Sequence, residues 1–192
     1  MPFSRPQRAV VFSGRPLVGP GGCEYPTWAV DAADFKTHDV HDVYFQEEEL
    51  MSPDAPQLYG SAIALDAAKK VAAPALAEAR KNNWAMAVAV VDTAGDLVYF
   101  EKMDATQAGS VTVAVDKACS AVRFKRPTKA FQDTLATGGE GLRVLGIKGA
   151  VPVEGGVPLV RDGKIVGAIG VSGGTSAQDG QCARAGVDAV AS

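Results

Sequence analysis

The chain has 192 residues, 47% of them hydrophobic and 21% charged, with a formal net charge of −3. That length suits one domain, with or without an arm, and can bury a sizeable core. The mild acidity argues against a nucleic-acid partner, which needs a basic face, and no run approaches the ~18 consecutive apolar residues of a membrane span.

The first residues carry prolines at 2, 6 and 16 and only a short apolar run, Ala9–Phe12. They lack the apolar centre of a signal peptide. Cys23, Cys119 and Cys182 are an odd set without CxxC spacing, so no disulfide framework is expected and the cytoplasm is the default compartment. Residues 1–57 hold 7 of the 11 prolines and a local net charge of −5, whereas residues 58–192 carry +2. The first segment therefore reads as an N-terminal extended arm, 1–57. Its aromatic residues, Tyr25, Trp28, Phe35, Tyr44 and Phe45, favour an ordered arm packed on its own or a neighbouring subunit over a disordered tail.

From residue 58 onward the periods alternate. Leu58, Ala62, Leu65, Ala68, Ala72, Leu76 and Ala79 recur at three- and four-residue steps, one face of a helix, with Pro74 expected to kink it. Ala85–Val91 is a continuous apolar run suited to a buried strand. Asp92–Gly95 is a turn, and Leu97–Glu101 is its hairpin partner. Residues 109–123 have a helical pattern, and Pro127-Thr128 opens a short helix to about Leu135. Val157–Val160, the turn Arg161-Asp162-Gly163 and Ile165–Val171 form a second hairpin, since Asp-Gly is a strong hairpin signal. Thr175 and Gln178 have capping-box spacing at the start of a last helix, which runs to about Val190. Two antiparallel hairpins divided by helices predict an α+β fold, not a doubly wound parallel sheet.

The turn Ser172-Gly173-Gly174-Thr175 joins a strand to a helix N-terminus. Its amides can hold a carboxylate or phosphate, or the turn can simply be closed by a side-chain cap. It is not a Walker loop, because the Lys-Ser/Thr ending is missing. Lys117 shares a helix face with the small apolar residues Val113, Ala114 and Ala121. Its ammonium either snorkels to water or lines a pocket as an anion partner, amine nucleophile or base. As a partly solvated group it would be replaceable by methionine without loss of the fold. Asp104 and Asp179 are candidate acid/base groups, against the plainer roles of turn capping and helix-terminus charge pairing. Thr128 and Ser172 are hydroxyl candidates, with no histidine after residue 57 to activate either. His38 and His41, in H-x-x-H spacing before Glu47-Glu48-Glu49, are the candidate metal ligands.

Several stretches together resemble the GlcG/HbpS-like family, also called haem-degrading or DUF336 domains. They are Ala89-Val90-Val91-Asp92-Thr93-Ala94-Gly95, Met103-Asp104-Ala105, Ala114-Val115-Asp116-Lys117-Ala118 and Arg126-Pro127-Thr128. Gly155-Gly156-Val157-Pro158-Leu159 and Gly167–Gly174 with Asp179 complete the set. The resemblance spans about Leu58 to Ala191. It implies a profilin-like antiparallel sheet of about five strands flanked by helices, and homo-oligomers from dimers up to octamers. It also implies haem or corrinoid binding, haem degradation, or a place in small-acid catabolism. Met103, Thr128, Ser172, Gly173, Gly174 and Thr175 become the expected ligand-binding residues, and Lys117, Asp104 and Asp179 the expected catalytic ones. The family pattern carries a histidine where this chain has Asp96, so an imidazole ligand to haem would have to come from His38 or His41. Three functions follow as expectations. The first is a protein binding haem or another anionic aromatic or carboxylate compound between the Gly-rich turn and the central helix. The others are a lyase, isomerase or hydratase acting on a small carboxylate, and an assembly or regulatory protein without chemistry.

Overall fold

The computed structural model describes residues 57–188. The expected arm, with His38 and His41, lies outside the described residues apart from Gln57. The elements in chain order are β1 (Leu58–Tyr59), α1 (Leu65–Lys81), β2 (Ala87–Val91), β3 (Leu97–Lys102), α2 (Ser110–Arg123) and α3 (Thr128–Ala136). A 3-10 helix (Gly139–Gly146), β4 (Gly156–Arg161), β5 (Lys164–Ser172) and α4 (Ser176–Asp188) follow. No helix among them is long and apolar enough to cross a membrane.

The two expected hairpins form, β2 with β3 and β4 with β5, and β5 also pairs antiparallel with β2. The β4–β5 turn has Asp162 at φ 50° and Gly163 at φ 70°, the left-handed pair that a tight hairpin turn demands. The β2–β3 turn is held by one carboxylate oxygen. Asp92 Oδ1 accepts the amides of Ala94, Gly95 and Asp96 at 2.9, 3.1 and 3.0 Å.

One expectation is corrected at the start of the domain. Leu58 does not begin a helix: Leu58 and Tyr59 form a two-residue strand that pairs in parallel with Lys164 and Ile165 of β5. The helix starts at Leu65 and continues unbroken across Pro74 to Lys81. The helical spacing of Leu58 and Ala62 is thus accidental, since Gly60-Ser61 breaks the period before the helix begins. The sheet has five strands, with one parallel pair among four pairings.

β2 is buried at every position because helices cover both faces of the sheet, the setting that makes a strand read as a continuous apolar run. Val88 and Val90 meet α1 and α4 together with Ile169 and Val171. The intervening Ala87, Ala89 and Val91 face α2. Burying each valine or isoleucine contributes about 1.5–3 kcal/mol relative to exposure. The face toward α2 is built from small residues, so the helix backbone sits close to the sheet. A Cβ on Gly170 would strike Ala114 O and Ala118 N. Ile165 faces α2 and Val166 faces α1, yet Ala168 faces α2 again. The pairing irregularity opposite Leu159/Val160 supplies the phase change, as a bulge does.

Candidate functional site

Lys117 lies in the middle of α2, on the face turned toward the sheet. Ala114 and Ala121, buried on this face, let the lysine stem pass inward rather than out, whereas Val113 lies exposed. Its Nζ donates to Asp179 Oδ2 at 2.6 Å and to Val171 O at 3.1 Å. The two side chains are only 1% and 4% exposed, so the ammonium does not snorkel to water. Asp179, in the first turn of α4, also accepts the Gly174 amide on Oδ1 at 3.0 Å. Burial raises the Asp179 carboxyl above its ordinary value. The Lys117 hydrogen bond and charge, and the amides of Gly174 and Gly173, act in the opposite direction.

The Gly-rich turn is therefore closed by the protein itself. Thr175 N–H donates to Gln178 Oε1 at 2.9 Å and Gln178 N–H to Thr175 Oγ1 at 3.4 Å, the reciprocal capping box expected from the sequence. The amide of Gly174 is taken by Asp179. An incoming anion would have to displace a carboxylate already in place. The structure thus corrects the picture of an open anion seat made by Ser172, Gly173, Gly174, Thr175 and a solvated Lys117. The helix end attracts a negative charge, as such ends do, but the charge is that of Asp179. Ser172 closes β5 opposite Ala87. A Cβ on Gly173 would meet Ala85 O and Met86, so this residue fits tightly against the chain entering β2. Thr128 is fully buried at the start of α3, and its Oγ1 accepts the Gly156 amide at 2.9 Å. Its hydroxyl is committed to the fold.

Met103 and Asp104 lie elsewhere, after β3, in an open cleft of about 340 Å³ lined by Arg80, Glu101, Lys102, Met103 and Asp104. Arg80 donates to Glu101 Oε1 at 3.1 Å and the Tyr99 hydroxyl to Oε2 at 2.6 Å. The same bond to Glu101 raises the Tyr99 phenol above its ordinary value. The Met103 amide donates to Met86 O at 2.9 Å, and Thr106 Oγ1 donates to Met86 O at 3.1 Å and Met103 O at 2.8 Å. The structure brings Lys117, Asp179 and the Gly-rich turn together and leaves Asp104 exposed and outside that group. Arg80 and Lys102 were not anticipated. Lys102 adjoins Met103 and Asp104 in the chain, but Arg80 arrives from α1, and nothing in its local sequence points to this cleft.

Haem needs an axial ligand, and the described residues offer none of the strong ones. They contain no histidine. The Tyr59 hydroxyl donates to Val122 O at 2.8 Å and that of Tyr99 is held by Glu101. Burial pushes the Cys119 thiol up, and that of Cys182 up to about 11, which opposes thiolate formation. Met103 leaves one half-buried thioether. Residues 57–188 therefore do not fit an iron held by imidazole, thiolate or phenolate. Among them there is also no group of three His, Cys, Asp or Glu side chains able to hold a metal ion, and the candidate metal ligands His38 and His41 fall outside the described residues.

Comparison with known proteins agrees with this architecture. GlcG of Escherichia coli is 36% identical over 95 residues, which span 50% of this chain and 69% of that protein. The solved structure of a Streptomyces reticuli HbpS double mutant aligns with a TM-score of 0.62 at 31% identity, covering 71% of this chain and 95% of HbpS. A crystal structure of a PduOC:heme complex aligns with a TM-score of 0.61 at 28% identity, covering 67% of this chain and 94% of that one. Residues 63–188 match the family described as haem degrading protein HbpS-like. With this α+β sheet between helices and a family match over most of its length, the chain belongs to the HbpS-like family.

Proposed function

We propose that this chain is an oligomeric binding protein for a small anionic ligand, haem or another aromatic or aliphatic carboxylate. One observation carries the preference for binding over catalysis. Lys117 and Asp179 are bonded to each other at 2.6 Å and almost fully enclosed, so neither is presented to a substrate. A lyase, isomerase or hydratase built on Lys117, Asp179 and Asp104 would need these groups in one accessible site, whereas only Asp104 is exposed. The haem complex of the related PduOC protein supports haem as a candidate ligand. In this chain its iron would draw on His38 or His41 of the arm.

Self-association belongs to the same proposal. Leu142, Leu145, Ile147 and Val153 are 54%, 66%, 39% and 40% exposed, an apolar set suited to burial between subunits. Cys119 and Cys182 are free thiols, which supports a reducing compartment such as the cytoplasm.

The test is an absorption titration of the full-length protein with haem, beside calorimetry with small carboxylates and their neutral amides. A saturable Soret shift, lost when His38→Ala and His41→Ala are combined, is the expected result for haem. Carboxylates should bind where their amides do not. No spectral change with haem and no heat from any acid would overturn the proposal, and light scattering that shows a monomer at micromolar concentration would remove its oligomeric part.

A further inference from the structure

Among the described residues, β3 and β4 are open edges of the sheet, and the two are finished differently. Along β4, the Gly155 carbonyl accepts the Val171 amide, so Gly156 and Pro158 turn their backbone groups away from β5. Both are closed to another strand. Thr128 Oγ1 takes the Gly156 amide at 2.9 Å, and Pro158 has no N–H to offer. β3 has no such protection. The Met103 amide donates to Met86 O, and in this register Glu101 and Tyr99 are the residues bonded to Val88 and Val90. Phe100 and Lys102 therefore direct their N–H and C=O groups outward, where nothing among the described residues meets them. The strand Leu97–Lys102 contains no proline or glycine, and Leu97 is 53% exposed. An open edge of such strand-forming residues is a template for a further strand.

We propose that β3 docks a second copy of this chain, the two β3 strands pairing antiparallel across a two-fold axis at Phe100. Every copy presents the same edge, and an antiparallel pair of identical strands complements itself. Centring at Phe100 uses the outward groups of both Phe100 and Lys102. It sets ring against ring on the α2 side, where Phe100 lies beside Ala87, Ala89 and Ala114, and aromatic cross-strand pairs are favourable. On the α1 side it sets Tyr99 opposite Glu101. Centring at Glu101 or at Lys102 would oppose like charges directly, which is unfavourable. The pairing irregularity of β3 falls at Leu97, away from the axis. This proposal rests on the self-association proposed above and gives it a surface distinct from Leu142, Leu145, Ile147 and Val153.

Light scattering on the full-length protein and its Phe100→Lys and Phe100→Glu variants tests it. Each variant alone opposes like charges at the axis and should have at most half the parental mass at equal concentration. An equimolar mixture of the two should recover the parental mass, because opposite charges then meet. A substitution that merely damaged the fold would not be rescued by mixing. Lys102→Pro is a second probe, since it removes an outward N–H and no bond to β2, a place where an edge strand tolerates proline. It too should at least halve the mass. Hydrogen exchange at the Phe100 and Lys102 amides should be slow in the parent and at least tenfold faster in the two Phe100 variants. Parental mass in all three variants, or a mixture that keeps the mass of its components while Lys102→Pro keeps that of the parent, would overturn the proposal. Slow exchange at these amides in a monomer would overturn it as well, by showing that the chain covers its own edge. An assembled parent with unaltered variants removes the β3 contact alone, whereas a monomeric parent removes self-association with it.

Discussion

Lys117 and Asp179 come from helices on opposite sides of the sheet and meet at 2.6 Å, with Lys117 also held by the carbonyl of Val171 at the end of β5. The contact ties α2, β5 and α4 together at the point where the Gly-rich turn leaves the sheet. It neutralises the ammonium inside the protein and fills the positive end of α4 with an internal carboxylate.

Replacing Lys117 by methionine should therefore destabilise the fold, contrary to the expectation for a partly solvated lysine. Removing one member of a buried pair costs about 3–5 kcal/mol, because the other charge is left enclosed. Combining Lys117→Met with Asp179→Asn should recover part of the loss. Urea unfolding midpoints of the three proteins check this, and a single variant as stable as the parent would show that Asp179 is solvated.

The Lys117→Met protein should also become more sensitive to pH. Burial already raises the Asp179 carboxyl, and loss of the ammonium removes the main influence opposing that rise. A carboxyl raised in the folded state leaves stability intact at pH below its unfolded value. That stability is lost as pH climbs through the folded value. The variant should accordingly be more stable at pH 5 than at pH 8, relative to the parent. Parallel denaturation curves at the two pH values would contradict this.

Ser110 begins α2 with its hydroxyl buried and without a hydrogen-bond partner among the described residues. An unpaired buried polar group costs about 1–3 kcal/mol. Ser110→Ala should consequently raise the unfolding midpoint. A fall would reveal an internal water bonded to this hydroxyl.

Close packing of α2 on the sheet depends on Gly170. An added methyl group would press on Ala114 O and Ala118 N, and overpacking of this kind costs about 1–3 kcal/mol. Gly170→Ala should lower the melting temperature. An unchanged melting temperature would mean that α2 can move away from β5 at little cost.

Cys182 is fully enclosed against α1 and the sheet, with its thiol pushed up to about 11. In the native protein it should resist thiol reagents at pH 8. Because the unfolded thiol ionises first, stability should fall as pH rises from about 9 toward 11, by roughly 2 kcal/mol. Cys182→Ala should flatten that decline, and rapid labelling of native Cys182 would place the thiol at the surface.

Local patterns in the sequence were enough for the hairpins, the existence of the four α-helices and the cap of α4, but not for the 3-10 helix Gly139–Gly146 or the start of α1. Asp162-Gly163 imposes its turn through backbone conformation, Thr175 and Gln178 cap each other within one helical turn, and the run into β2 reflects burial on both faces. These effects act over a few residues and leave a visible period. β1 has no such signature, because two residues take their structure from a strand more than a hundred positions away. The same limit governs the site. Small neighbours mark the inward face of α2 at Lys117, but only the folded chain brings a carboxylate 62 residues further on to its ammonium. That contact turns an apparent anion seat into an internal ion pair. Arg80 reaches the cleft of Lys102 and Asp104 in the same way, through the packing of α1 beside β3, which no local spacing records.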